Sequence, residues 1–319
     1  MSIDASQRTR CREIGPADLC AVANLLTKGF RTRTRQYWAR ALRHLSAHPT
    51  PSGYPPYGYL LEHNETPVGV SLLIYSSILS NGEVKIRCNV SSWYVEPLFR
   101  SYASMLVSHG REHPNITYFN VTPGRHTLMN IETRGYARYC NGLFLAIPAL
   151  SKSPNDVDAC TFTPGLHSYW DLPPTEVQLL EAHARYGCIS LICNTPSQSY
   201  PFVFAPHRKN GFFSYLRLIY CRAPGDFVRF SGALGRFLAR YGFFFVALDS
   251  NGPIDGLFGR YFDERPKYFK GPDRPRLGDL AYTELAMFEI AGDWIWKDWL
   301  FRAIRESRPS QIGAKKNRF

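Results

Sequence analysis

The sequence predicts an α+β chain built from two successive units, and three observations carry that expectation. Strand-like runs alternate with amphipathic helical stretches, a polar, turn-rich stretch at 148–160 interrupts them, and a similar order of elements resumes beyond it. The length of 319 residues favours two domains over one, at roughly 100 to 200 residues each. Hydrophobic residues at 45% and charged residues at 20% are those of an ordinary globular chain, which excludes wholesale disorder. The expected division is a first unit over 1–150, a second over 161–306, and a basic, disordered tail over 307–319.

In the first unit, Arg12 to Leu19 reads as a short strand and then a helix start. Asp18 can cap that helix, and Leu19, Val22, Ala23, Leu25, Leu26 and Phe30 form its apolar stripe. A second helix runs through Tyr37, Trp38, Leu42 and Leu45 to a Pro/Gly/Tyr-rich loop at 49–58. A hairpin follows over 59–75 with its turn at 63–67, then a strand over 85–95 and a helix over 99–110. A strand at 116–121, a helix at 126–134 and a last strand at 142–147 complete the unit. The second unit reads as a helix at 174–186, strands at 188–193, 200–205 and 212–220, and a helix at 226–241. A strand at 243–248, an irregular Arg/Tyr/Gly/Pro stretch and a strand at 281–290 end it. Segments 100–121 and 229–248 can be laid side by side as helix, turn and strand, which suits a duplicated unit, although that order is common.

The longest apolar run, 242–248, is far below the ~20 residues that cross a bilayer, and the N-terminus has no apolar stretch of the signal-peptide kind. A soluble, cytoplasmic protein is expected. The net charge of +12 would recruit an anionic partner, and only nine of the 38 basic residues are Lys. These residues are scattered, so a phosphate-bearing small molecule, nucleic acid and plain solubility all stay open, with nucleic acid not favoured. The eight cysteines form no C-x-x-C pair and no zinc-finger spacing with His; reduced, buried thiols and no metal are expected.

The stretch from Val95 to Ala103 leaves a strand and opens a helix. Unpaired N–H groups at a helix start attract anions, and small residues at 101 and 103 would let a diphosphate approach. Val95, Pro97, Phe99 and Arg100 match in spacing the acyl-CoA loop of the GNAT N-acyltransferase superfamily, which this junction resembles. Residues 14–19 look like the family's opening strand and helix, 61–69 like its hairpin ending in Val-Gly, and 127–136 like its last helix. The resemblance implies a mixed, mostly antiparallel twisted sheet flanked by helices, in tandem GNAT-like units of which the second is either intact or degenerate. It also implies acetyl-CoA or a longer acyl-CoA as co-substrate, an acyl group moved directly to the amine or hydroxyl of a small-molecule acceptor, and no metal.

By the same resemblance, Trp93, Tyr94, Val95, Arg100, Ser101, Tyr102, Ala103, Asn120 and Thr122 hold the cofactor. A backbone N–H near Trp93 to Val95 would face the thioester oxygen; one such donor is worth ~3–4 kcal/mol in acyl transfer. Departures are visible. Ser101 and Ala103 replace usual glycines, Met105 stands at a third small position, and Ile131 replaces the Tyr that often protonates the leaving thiolate. His126 is the candidate base, with a surface histidine as the bland alternative, and Tyr139 or Tyr136 is the candidate acid, with core packing as the alternative. Glu96 reads as a solvent-exposed carboxylate.

Arg222-Ala223-Pro224-Gly225 and Arg229-Phe230-Ser231-Gly232 both repeat the short R-x-x-G core in the second half. Near the C-terminus, Trp296, Trp299, Leu300, Ala303 and Ile304 share one helical face, which docks on its own domain or lies on a membrane surface. A non-catalytic binding module and an aminoacyl-tRNA-dependent transferase are the alternative functions.

Overall fold

The computed structural model describes residues 9–80, 82–109, 113, 115–129, 131–154, 156–164, 171–209 and 213–288. The expected Trp-rich helix and basic tail lie outside the described residues. The first half runs β1 (Thr9–Glu13), α1 (Leu19–Gly29), α2 (Arg35–Ser46), β2 (Gly58–His63), β3 (Thr66–Ser80) and β4 (Glu83–Val95). A 3-10 turn (Pro97–Tyr102) then leads to α3 (Ala103–His109), β5 (Thr117–Asn120), α4 (Arg125–Leu128), β6 (Ala137–Cys140) and β7 (Gly142–Ala146). The second half runs β8 (Asp158–Thr161), α5 (Pro174–Tyr186), β9 (Ile189–Asn194), β10 (Ser199–Lys209), β11 (Phe213–Cys221) and α6 (Pro224–Ala239). It ends with β12 (Val246–Ser250), β13 (Gly259–Phe262), β14 (Lys267–Lys270) and α7 (Glu284–Met287).

Two seven-stranded sheets result, in the orders β1-β2-β3-β4-β5-β14-β6 and β13-β7-β12-β11-β10-β9-β8. Each is antiparallel apart from one parallel pair, β4 with β5 and β11 with β12. The expected mixed, mostly antiparallel sheets flanked by helices are therefore present in two units. The sheets exchange strands, so neither is made by one half of the chain alone. β7, read from sequence as the last strand of the first unit, pairs with β12 and β13. β14, inside the stretch read as irregular, inserts between β5 and β6.

Three apolar clusters set the layers. One packs α3 against the first sheet through Leu73, Cys88, Val95, Leu106, Tyr118 and Tyr136. Another packs α6 against the second sheet through Phe227, Phe230 and Leu234 on Leu216, Leu218 and Val246. Between the sheets lies a shared core in which Val22, Leu26, Trp38 and Leu42 of α1 and α2 meet Leu180, Ile192, Val203, Ile219 and Met287. The α1 stripe read from sequence is what this layer buries. α1 ends at Gly29, a position that needs glycine because a Cβ there would lie 2.4 Å from the Tyr94 ring.

Several local expectations are corrected. The helix expected over 99–110 begins as a 3-10 turn, and the helix expected over 126–134 is the short α4 followed by turns. The strand expected over 281–290 is a turn and then α7 as far as residue 288, because Tyr282 takes a left-handed φ of 56° that ends extended backbone. All eight cysteines are free, and Cys88, Cys140, Cys188, Cys193 and Cys221 are buried. No described helix is long and apolar enough to cross a membrane.

Candidate functional site

β5 pairs with β4 only where Arg87, Cys88 and Asn89 face Thr117, Tyr118 and Phe119. From Val90 to Val95, β4 continues beside β3 alone among the described residues. The register there skips one position: Leu73 faces Val90 and Ser71 faces Trp93, so Ser91 and Ser92 both oppose Leu72. That bulge bends β4 away from β5, as an extra residue in one strand does. The divergence opens a cleft of about 210 Å³ through the sheet. On the α3 side its wall includes Leu106, Val107, Ile131 and Tyr136, and on the α1 side Phe30 and Glu284. Between them stand the strand edges, with Ser91, Trp93, Asn120 and Thr122.

Sequence reasoning missed Glu284. Its carboxylate accepts hydrogen bonds from the hydroxyls of Ser91 and Thr122, one on each oxygen. Its N–H donates to Asn89 Oδ1 at 2.9 Å, and Asn89 Nδ2 donates to the Phe119 carbonyl at 3.2 Å. Asn89 thus bridges β4 and β5 where they part and fixes Glu284 at the fork. Some 160 to 195 residues separate Glu284 from these partners, and no local pattern in a sequence announces such a contact.

The structure brings three predicted cofactor residues to the cleft: Trp93, Asn120 and Thr122. Asn120 Oδ1 is buried with no hydrogen-bond partner among the described residues. Tyr94 and Val95 instead turn into the two cores of the first sheet. Arg100, Ser101 and Tyr102 are exposed on the 3-10 turn, outside the cleft wall, with Ala103 packed against the α3 core. No side chain caps this turn, yet Phe99 N–H already donates to the Glu96 carbonyl at 2.9 Å and Ala103 N–H to that of Arg100. The row of open amides expected there is closed on itself. Glu96 is ion-paired with Lys28 at 2.9 Å.

Tyr139 is excluded from the cleft. Its ring is buried against Phe269, with centroids 6.2 Å apart, and burial together with the nearby Asp249 charge pushes its hydroxyl far above its ordinary pKa. Tyr136, 5% exposed, does line the cleft. His126 falls in α4, and its side chain lies outside the described residues. Among the described residues, no group of three His, Cys, Asp or Glu gathers as a metal site.

A second, larger cavity of about 770 Å³ lies between the units, with Arg87, Glu176, Tyr220, Arg222, Asp279 and Tyr282 in its wall. Arg87 makes a two-pronged bond to Asp279 at 2.9 and 3.1 Å, and Arg222 grips Glu176 at 2.6 to 3.1 Å. Burial opposes the Asp279 charge, but Arg87 and Arg276 outweigh it and hold the carboxyl below its usual range.

The second sheet repeats the local plan and closes it. β12 pairs with β11 only at Leu216 and Arg217, and β11 carries an extra residue at Ile219 relative to β10. β10 holds one edge of β11 throughout. On the other edge, Leu280 N–H donates to the Ile219 carbonyl at 2.7 Å and Cys221 N–H to that of Gly278 at 3.0 Å. The backbone of 278–280 therefore fills the gap. At the start of α6, Asp226 accepts the Ala223 N–H at 2.9 Å.

No protein-family profile matches the chain, and no curated protein matches it. Solved structures do. A GCN5-related N-acetyltransferase from Anabaena variabilis aligns with a TM-score of 0.55 at 10% identity, over 82% of this chain and 72% of that one. One from Kribbella flavida aligns at 0.51 and 12% identity, over 83% and 71%. A glucosamine N-acetyltransferase region of a fungal multi-domain GH3 β-N-acetylglucosaminidase aligns at 0.52 and 10% identity, over 83% of this chain and 38% of that one. The chain has the GCN5-related N-acetyltransferase fold.

Proposed function

We propose that the protein is a CoA-dependent acyltransferase that moves an acyl group directly from acyl-CoA to the amine of a small molecule. One observation carries this reading: a cleft runs through the first sheet where β4 leaves β5, and the buried Asn120 Oδ1 in its wall has no donor among the described residues. A pantetheine amide supplies such a donor, and the thioester supplies the activated carbonyl. Main-chain groups of the β4 edge beyond Asn89, which has no strand beside it on the β5 side, are the oxyanion donors. Arg100 on the turn and Arg134 on the cleft wall are the cations for the phosphates, in place of the amide row. Tyr136, which lines the cleft, protonates the leaving thiolate in this reading. The acceptor enters from the α1 side, towards the inter-unit cavity, whose paired charges and tyrosines suit a polar amine such as an amino sugar.

The fold neighbours support acyl transfer in general. The closed turn at 97–102 and Ile131 in the cleft favour a second reading, a binding module without turnover. Calorimetric titration with acetyl-CoA, a long-chain acyl-CoA and free CoA, followed by thiol release across alkylamines and amino sugars, separates the two. Binding with thiol release is expected. Binding without release selects the module, and no heat with any of the three removes both CoA readings.

A further inference from the structure

Glu284 reaches the first sheet on a segment that the second unit holds. Backbone bonds tie Gly278 and Leu280 to β11. Arg87 of β4 grips Asp279 and also donates to the Ala281 carbonyl at 2.8 Å. Tyr282 then adopts its left-handed φ of 56°, a conformation that is strained for a non-glycine residue and persists only where contacts impose it. Those contacts are present. Tyr282 N–H donates to His183 Nε2 at 3.1 Å, and its ring lies 4.8 Å from that of His183 and 5.2 Å from that of His48. Two residues later the carboxylate enters the fork between β4 and β5, with Ser91 and Thr122 orienting its oxygens. Each oxygen receives one hydroxyl proton.

We infer that Glu284, delivered by the second unit, is the catalytic base that takes the proton from the acceptor amine in the first unit's cleft. This inference rests on the acyl-transfer reading above. Its basis is placement: the carboxylate lies on the α1 side of the cleft, across the sheet from Leu106, Val107 and Tyr136 on the α3 side. A nucleophile entering from the α1 side meets this carboxylate before it meets a carbonyl held at the β4 edge. In the step, the ammonium form of the acceptor first gives one proton to Glu284. The neutral nitrogen then bonds to the thioester carbon, the C–S bond breaks, and a second nitrogen proton replaces the one that Tyr136 gives to the departing thiolate. Glu284 releases its proton to solvent, so charge and atoms balance without an oxidant or reductant. The second unit thus contributes a reacting group even though its own gap is filled.

The test compares two nucleophiles in the intact protein with acetyl-CoA: n-butylamine, which is protonated near neutral pH, and hydroxylamine, which is already neutral there. In Glu284→Gln, acetyl-CoA affinity by calorimetry is expected to stay within about threefold of wild type. Thiol release with n-butylamine falls ~100-fold or more, the range general-base removal produces, while release with hydroxylamine falls far less. Formate added to Glu284→Ala restores n-butylamine turnover, which guards against a variant that merely packs badly. Equal losses with both nucleophiles, unchanged n-butylamine turnover, or lost acetyl-CoA binding each overturn the assignment. Absence of thiol release by the wild type with any nucleophile, water included, instead overturns the acyl-transfer reading itself.

Discussion

The two sheets carry the same strand plan and use it in opposite ways. In the first, β4 bulges away from β5 and leaves a cleft with an orphan amide oxygen and a carboxylate in its wall. In the second, β11 bulges away from β12 and residues 278–280 fill the gap with backbone hydrogen bonds. The face of β11 and β12 away from α6 is filled as well. There Asp249 accepts from both Arg217 and Lys267, the latter at 2.7 Å and fully buried. At the helix that follows, Asp226 takes the Ala223 amide, whereas at the turn after β4 main-chain carbonyls take the Phe99 and Ala103 amides. A diverging strand pair is therefore an opportunity and not yet a site. What occupies the gap decides.

The largest expected effect tests whether the second face is purely structural. Asp249→Asn leaves two buried cations without their counter-charge and should cost about 3–5 kcal/mol in urea denaturation. A loss under about 1 kcal/mol would mean that the cluster is solvated and the comparison overdrawn.

Next comes pH. Burial lowers the His183 pKa to about 4 from 6.5, and the neutral ring donates from Nδ1 to the Leu179 carbonyl while Nε2 accepts from Tyr282. Above pH 6.5 both states are neutral and the contribution is complete. As pH falls from 6.5 towards 4, the unfolded chain binds the proton first and the fold loses up to ~3 kcal/mol. His183→Gln, which keeps a donor and an acceptor, should flatten that part of the stability profile; an unchanged slope would refute the account of the segment that carries Glu284.

Smaller effects sharpen the contrast between the gaps. Asn120→Ala should weaken acetyl-CoA binding by about 1 kcal/mol, roughly fivefold in Kd, with little change in stability. Asp226→Ala should lower stability by about 0.5–1 kcal/mol through the lost cap and leave acetyl-CoA affinity unchanged. Equal affinity losses in the two variants would erase the distinction between the units.

Much of this was legible before the structure. The α1 stripe, the hairpin with its turn at 63–67 and the strand up to Val95 are local patterns, and they fall where periodicity puts them. Trp93, Asn120 and Thr122, singled out through the resemblance to the GNAT superfamily, do line the cleft. Tyr139 misled because aromatic spacing after a helix does not reveal which sheet face the side chain joins. β14 was hidden in a stretch rich in charge and turn residues, and its pairing with β5 is made only by a return from the far end of the chain. Glu284 was invisible for the same reason. Residue type and local spacing mark it as ordinary, and only the crossing between units gives it partners.

The central claim, one working gap and one filled gap, is tested most directly by calorimetric stoichiometry of acetyl-CoA on wild type, Val107→Trp and Asp226→Ala, with folding checked by circular dichroism. The account predicts one site per chain, abolished when the indole introduced by Val107→Trp blocks the first cleft and unchanged when the second helix loses its cap. Two sites per chain, or one that survives the Val107→Trp block, would contradict it.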